Sequence, residues 1–77
     1  MYIDIRDSKS YNNGHIAGAI NIPFNRLISN PEILDKKETY YLYCQSGSNS
    51  RILVSYLNSL GYSCINLDGG YSKYLLK

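Results

Sequence analysis

At 77 residues the chain suffices for one small domain with a modest core and little stability to spare. Its net charge of +2 comes from scattered residues, Lys36-Lys37 being the only adjacent basic pair, so no basic stripe suited to nucleic acid is present. No apolar run approaches the roughly 20 residues that span a bilayer, and the first ten residues carry Asp4, Arg6, Asp7 and Lys9 where a signal peptide would be apolar. These features point to a soluble cytoplasmic protein with no membrane or nucleic-acid partner.

Met1 to Ile5 is a β-branched and aromatic run that predicts a strand. Asp4 and Arg6 stand at its C-terminal end, and we read them as an ion pair or hydrogen bonds tying loops together. Asp7 or Ser8 caps a short helix through Tyr11, which Asn12-Asn13-Gly14 stops. His15 to Pro23 is a turn feeding a second short strand. His15, the only histidine, is expected to brace that turn through the backbone and not to act as a base. Phe24 to Ser29 predicts a helix with Phe24, Leu27 and Ile28 on one side, and Pro31 opens a further helical turn through Leu34. Asp35 to Glu38 is a solvated turn before a central strand, Thr39 to Tyr43.

Ser50 to Leu60 predicts a helix with Ile52, Leu53, Tyr56, Leu57 and Leu60 on one face, closed by Gly61. Ser63 to Leu67 is a fourth strand. Asp68-Gly69-Gly70 is a tight turn, and Tyr71 to Lys77 a final helix offering Tyr71, Tyr74 and Leu75 for packing. Strands alternating with helices imply an α/β fold: a small parallel sheet of about four strands with helices on both faces. The nine tyrosines suit half-buried positions, ring inside and hydroxyl wet.

The stretch from Tyr40 to Arg51 carries the chemistry. A strand ends at Cys44, and Gln45, Ser46, Gly47, Ser48 and Asn49 form a loop of small and polar residues leading to Ser50 and a helix N-terminus. Converging backbone N–H groups and the positive helix end make an anion cradle. A thiol there ionises readily, since cysteines at helix N-termini fall from about 8.5 into a range of about 3.5–7.5. Cys44 is therefore the candidate catalytic nucleophile. Cys64 is expected to serve packing. A disulfide between the two is disfavoured, because they fall at opposite edges of a parallel sheet and bridging needs Cα atoms within about 7 Å. One histidine and two unclustered cysteines supply no metal-ligand set, and the reading calls for no cofactor.

Four blocks in order resemble a rhodanese-like domain. They are Asp4-Ile5-Arg6; Gly14-His15-Ile16-Ala17-Gly18-Ala19-Ile20-Asn21-Ile22-Pro23; Cys44-Gln45-Ser46-Gly47 followed by Ser50; and Leu67-Asp68-Gly69-Gly70-Tyr71 with Tyr74. The resemblance covers essentially the whole chain, read as a single domain over 1–77. It implies a sulfurtransferase of thiosulfate sulfurtransferase type. Cys44 would take sulfane sulfur from thiosulfate or a protein persulfide and pass it to a thiol or cyanide acceptor. Gln45, Ser46, Gly47, Ser48, Asn49 and Ser50, with Arg51 as nearest cation, would bind the donor and the persulfide anion.

Two departures accompany the resemblance. Asn49 stands where the family often carries arginine, which would weaken thiosulfate binding and favour another donor. The chain also opens where the family's second strand lies, so its first strand and helix are lacking and the exposed sheet edge would invite a homodimer.

Two alternatives compete with sulfur transfer. A cysteine-dependent phosphatase or arsenate reductase needs an arginine where Ser50 stands, five residues intervening after Cys44. A rhodanese-like fold can also serve as a non-catalytic binding or regulatory module.

Overall fold

A computed structural model describes residues 1–76. It contains strands β1 (Tyr2–Asp4), β2 (Ile20–Asn21), β3 (Thr39–Tyr43) and β4 (Ser63–Asn66). Between and after them lie helices α1 (Ser8–Asn12), α2 (Phe24–Ser29), α3 (Ser48–Ser59) and α4 (Gly70–Tyr74), with one 3₁₀ turn at Pro31–Ile33. The sheet is parallel throughout, in the order β2-β1-β3-β4. The α/β expectation with about four strands holds.

Alternation along the strands sorts the side chains. Ile3, Ile5, Tyr40, Leu42 and Cys44 face a core closed by Leu27 of α2 and by Leu53 and Leu57 of α3. Tyr43 points to the other face, where Ile16, Ala19, Leu67 and Tyr71 surround it. Tyr2 and Tyr41 lie opposite each other in register, ring centroids 5.4 Å apart and partly exposed. That fits the half-buried role expected of the tyrosines.

Three expectations are corrected. Helix α3 begins at Ser48, not Ser50, because Gly47 caps it in a left-handed conformation (φ 99°) and releases the next residues into helix. Its buried stripe is Ser50, Leu53 and Leu57, while Ile52, Tyr56 and Leu60 are exposed. The stripe follows the i, i+3, i+7 spacing from Ser50; Ile52 and Tyr56 each lie one residue off it, rotated away from the sheet, and Leu60 falls past the last helical residue as the C-cap. Helix α4 ends at Tyr74, with Tyr74 and Leu75 exposed; Lys77, the expected end of that helix, lies outside the described residues.

The β4 edge is not left open along its length. The outward peptide of Cys64 is occupied on both sides by the Asn58 carboxamide: Cys64 N–H donates to Oδ1 at 2.8 Å, and Nδ2 donates to Cys64 C=O at 3.0 Å. A side chain thus imitates a neighbouring strand and blunts the edge against pairing. Cys64 and Cys44 are both free; Cys64 is in register with Tyr40, near the opposite end of β3 from Cys44.

Replacing Asn58 with Ala should lower stability by about 1–2 kcal/mol, two hydrogen bonds being lost, and increase self-association. Thermal unfolding and sedimentation at several concentrations check both effects.

Candidate active site

Cys44 follows β3 directly, at the carboxyl edge of the sheet where α/β proteins place ligands. The next three residues turn the chain back, and α3 starts with its N-terminus over the sulfur. The Gly47 N–H donates to Cys44 Sγ at 3.1 Å and the Ser50 N–H at 3.4 Å. Ser50 Oγ lies 3.4 Å from the same sulfur. Burial pushes the Cys44 thiol up, but the Ser50 hydroxyl when it donates to the sulfur, together with the backbone N–H groups of Ser50, Gly47 and Ser46, outweighs it and brings the thiol below its ordinary value. Cys64 has burial alone acting on it and is raised.

The loop is held in this shape from outside. Cys44 C=O accepts the Tyr71 N–H at 2.9 Å, and Gln45 C=O accepts the Ser72 N–H at 3.0 Å. With its carbonyls tied to the first turn of α4, the loop turns its N–H groups toward the sulfur. This contact requires Gly70, which is left-handed (φ +57°); a Cβ there would collide with the backbone of Cys44 and Gln45.

A second network braces the loop from β1. Asp4 is fully buried (0% exposed), and its carboxylate binds the Arg6 guanidinium at 2.7 Å. Arg6 also donates to Gly14 C=O at 2.7 Å and to Gln45 Oε1 at 3.1 Å, and stacks over Tyr71 at 4.3 Å. Asp4 and Arg6 thereby tie together β1, the Gly14 turn, the cysteine loop and α4. His15 braces its turn as expected, Nδ1 donating to Tyr11 C=O at 2.9 Å with the ring stacked on Tyr11. The Tyr43 hydroxyl accepts from the Ile16 N–H, and burial drives its phenol well above the ordinary range.

Cys44 opens into a hollow of about 400 Å³ lined also by Arg6, Asp7, Ser10, Gln45, Ser46 and Asn49. Of the residues read from the sequence, Cys44, Gln45, Ser46 and Asn49 line this space, while Gly47 and Ser50 touch the sulfur beneath it. Ser48 sits at the start of α3, its hydroxyl 3.3 Å from that of Ser46. Arg51 is not brought to the hollow. Its side chain is 73% exposed and stands 3.8 Å from Asp68, because the turn of α3 after Ser50 carries it outward. The cation at the hollow is Arg6, which sequence reasoning assigned only to bracing. Asn66 and Asp68, linked to Ser50 through hydrogen bonds, were not singled out as site residues. Among the described residues no cluster of acidic, histidine or cysteine side chains fit for a metal is found.

Gly70→Ala should disrupt the α4 contact and with it the cradle. Left-handed strain alone contributes on the order of 1–3 kcal/mol, and the collision adds to it. A lower unfolding midpoint together with slower Cys44 alkylation at neutral pH is the expected result.

The rhodanese-like domain family matches residues 1–77. The chain is 36% identical over 73 residues to the thiosulfate sulfurtransferase GlpE of Shewanella oneidensis, covering 94% of this chain and 72% of that protein. It is 34% identical over 74 residues to the adenylyltransferase and sulfurtransferase uba4 of Ogataea parapolymorpha, covering 94% of this chain but only 19% of that longer protein. The crystal structure of a rhodanese-related protein from Thermoplasma volcanium superposes with a TM-score of 0.91 at 29% identity, covering 97% of this chain and 75% of the other. With a match running from end to end and a cysteine seated between a parallel strand and a helix N-terminus, the chain belongs to the rhodanese-like domain family.

Proposed function

We propose that the protein is a sulfurtransferase that carries sulfane sulfur as a persulfide on Cys44. The observation that carries this reading is the buried sulfur (Cys44 is 6% exposed), with backbone N–H groups at 3.1 and 3.4 Å and an adjoining hollow. The same donors that favour a thiolate favour a terminal persulfide anion.

In the first half-reaction the thiolate attacks the outer sulfur of thiosulfate. The S–S bond breaks, sulfite leaves with the electron pair, and Cys44 holds a persulfide. In the second, a thiol or cyanide attacks the terminal sulfur and the Cys44 thiolate leaves, so one transfer becomes two displacements. Gln45, Ser46 and Asn49 would contact the donor, with Gly47 and Ser50 holding the anion. Arg6 brings charge to the hollow, but Asp4 engages it, and Asn49 adds none. A protein or small-molecule persulfide therefore suits the site better than the dianionic thiosulfate.

Ser50 stands where a phosphatase would need its clamping arginine, and Arg51 faces outward, which argues against phosphate chemistry. A reducing cytoplasmic setting would keep both thiols free. The Asn58 cover on β4 favours a single copy over the homodimer expected from an open edge.

Intact mass after incubation with thiosulfate or with a persulfide donor tests the proposal. The expected result is a gain of one sulfur atom, removed by cyanide and absent in Cys44→Ser. No gain with either donor would overturn it.

A further inference from the structure

The Cys44 sulfur does not face backbone amides alone. The fully buried Ser50 hydroxyl beside it carries one proton and has three acceptors in reach. These are Cys44 Sγ at 3.4 Å, Gly47 C=O at 3.2 Å and Asn66 Oδ1 at 2.5 Å. A hydroxyl donates once, so the orientation of Asn66 decides where that proton goes.

Asp68 sets that orientation. Asn66 Nδ2 donates to Asp68 Oδ1 at 2.9 Å and approaches Gly47 C=O at 3.4 Å. Both partners are oxygens that only accept. Reversing the amide would place Oδ1 against two acceptors and Nδ2 against Ser50. As long as Asp68 holds the amide nitrogen, the amide oxygen faces Ser50 and draws its proton. Ser50 then turns a lone pair toward the sulfur, which suits a thiol donating its S–H and opposes a thiolate. For the Cys44 thiolate to gain the Ser50 donor, that proton must swing back toward the sulfur and leave Asn66 Oδ1 without its partner.

We propose that Asp68 and Asn66 are positioning residues that set the direction of the Ser50 proton and thereby govern how readily Cys44 ionises. Two residues outside the cysteine loop thus restrain the nucleophile. Without them Ser50 is free to donate to the thiolate. The consequence for turnover rests on the sulfur-transfer reading above; the consequence for the thiol stands without it.

The other charged groups near Cys44 are Arg6 and Asp7, which line its hollow from the β1–α1 connection, and Arg51 on α3, which pairs with Asp68. Asp68 is 77% exposed, so changing it should not disturb the fold. Its removal takes away a charge as well as an acceptor, and the experiment must separate the two.

The test is the pH dependence of Cys44 alkylation, followed by mass spectrometry, in Asp68→Ala, Asp68→Asn and Ser50→Ala, and in Ser50→Ala combined with Asp68→Ala. Asp68→Ala should lower the midpoint by about half to one pH unit, the scale of one redirected hydrogen bond. Asp68→Asn loses the charge but keeps an oxygen for Asn66 and should move it less. In the Ser50→Ala background the Asp68→Ala shift should largely vanish. An equal shift in Asp68→Ala and Asp68→Asn, an undiminished shift without the Ser50 hydroxyl, or no shift at all would overturn the proposal. All of these readouts concern thiol ionisation, so loss of sulfur transfer alone would contradict the functional reading and leave this one standing.

Discussion

The site depends on two hydrogen bonds between backbones distant in sequence: the N–H groups of Tyr71 and Ser72 bind the carbonyls of Cys44 and Gln45. A loop of this length has as many carbonyls as N–H groups, and an anion site needs the carbonyls turned elsewhere. Helix α4 supplies that elsewhere. Gly70 permits the approach, and Gly47, whose Cβ would lie 3.0 Å from Gly69 N, permits it from the other side. The sulfur then receives amides that are already oriented, so little reorganisation accompanies ionisation. The buried Asp4–Arg6 pair extends the constraint to β1 by fixing Gln45 and stacking on Tyr71.

The same geometry explains why two cysteines on one face of the sheet differ. Cys44 and Cys64 both belong to the α2–α3 core, and both lose hydration there. Cys64 lies within β4, where its peptide is satisfied by Asn58 and its sulfur gains no donors that lower its ionisation. Cys44 lies one residue beyond β3, where the amides of the next helix converge. Burial alone makes a packing thiol; burial with aimed donors favours the thiolate.

Much of this is legible in the sequence because it is local. The four strands follow from short β-branched and aromatic runs, and the cysteine loop from a strand, small residues and a helix in succession. The start of α3 escapes the pattern because Gly47 caps through a left-handed backbone and not through a side chain that a pattern reveals. The expected buried stripe is too wide because Ile52, Tyr56 and Leu60 are apolar yet turned to solvent. The contacts that tune the site join residues far apart: Arg6 to Gln45, Ser50 to Asn66, and Tyr71 to Cys44. No periodicity encodes them, since they appear only when the parallel crossovers bring loop ends to one edge of the sheet.

The central claim is that the fold turns Cys44 into a stabilised anion while leaving Cys64 a buried thiol. Titrating the ultraviolet thiolate absorbance of the native protein, beside Cys44→Ser, tests it most directly. The account predicts one thiol ionising below the ordinary value of about 8.5, lost in Cys44→Ser, with the remaining thiol ionising above it. A low transition that survives in Cys44→Ser, or two thiols titrating together near the ordinary value, would contradict it.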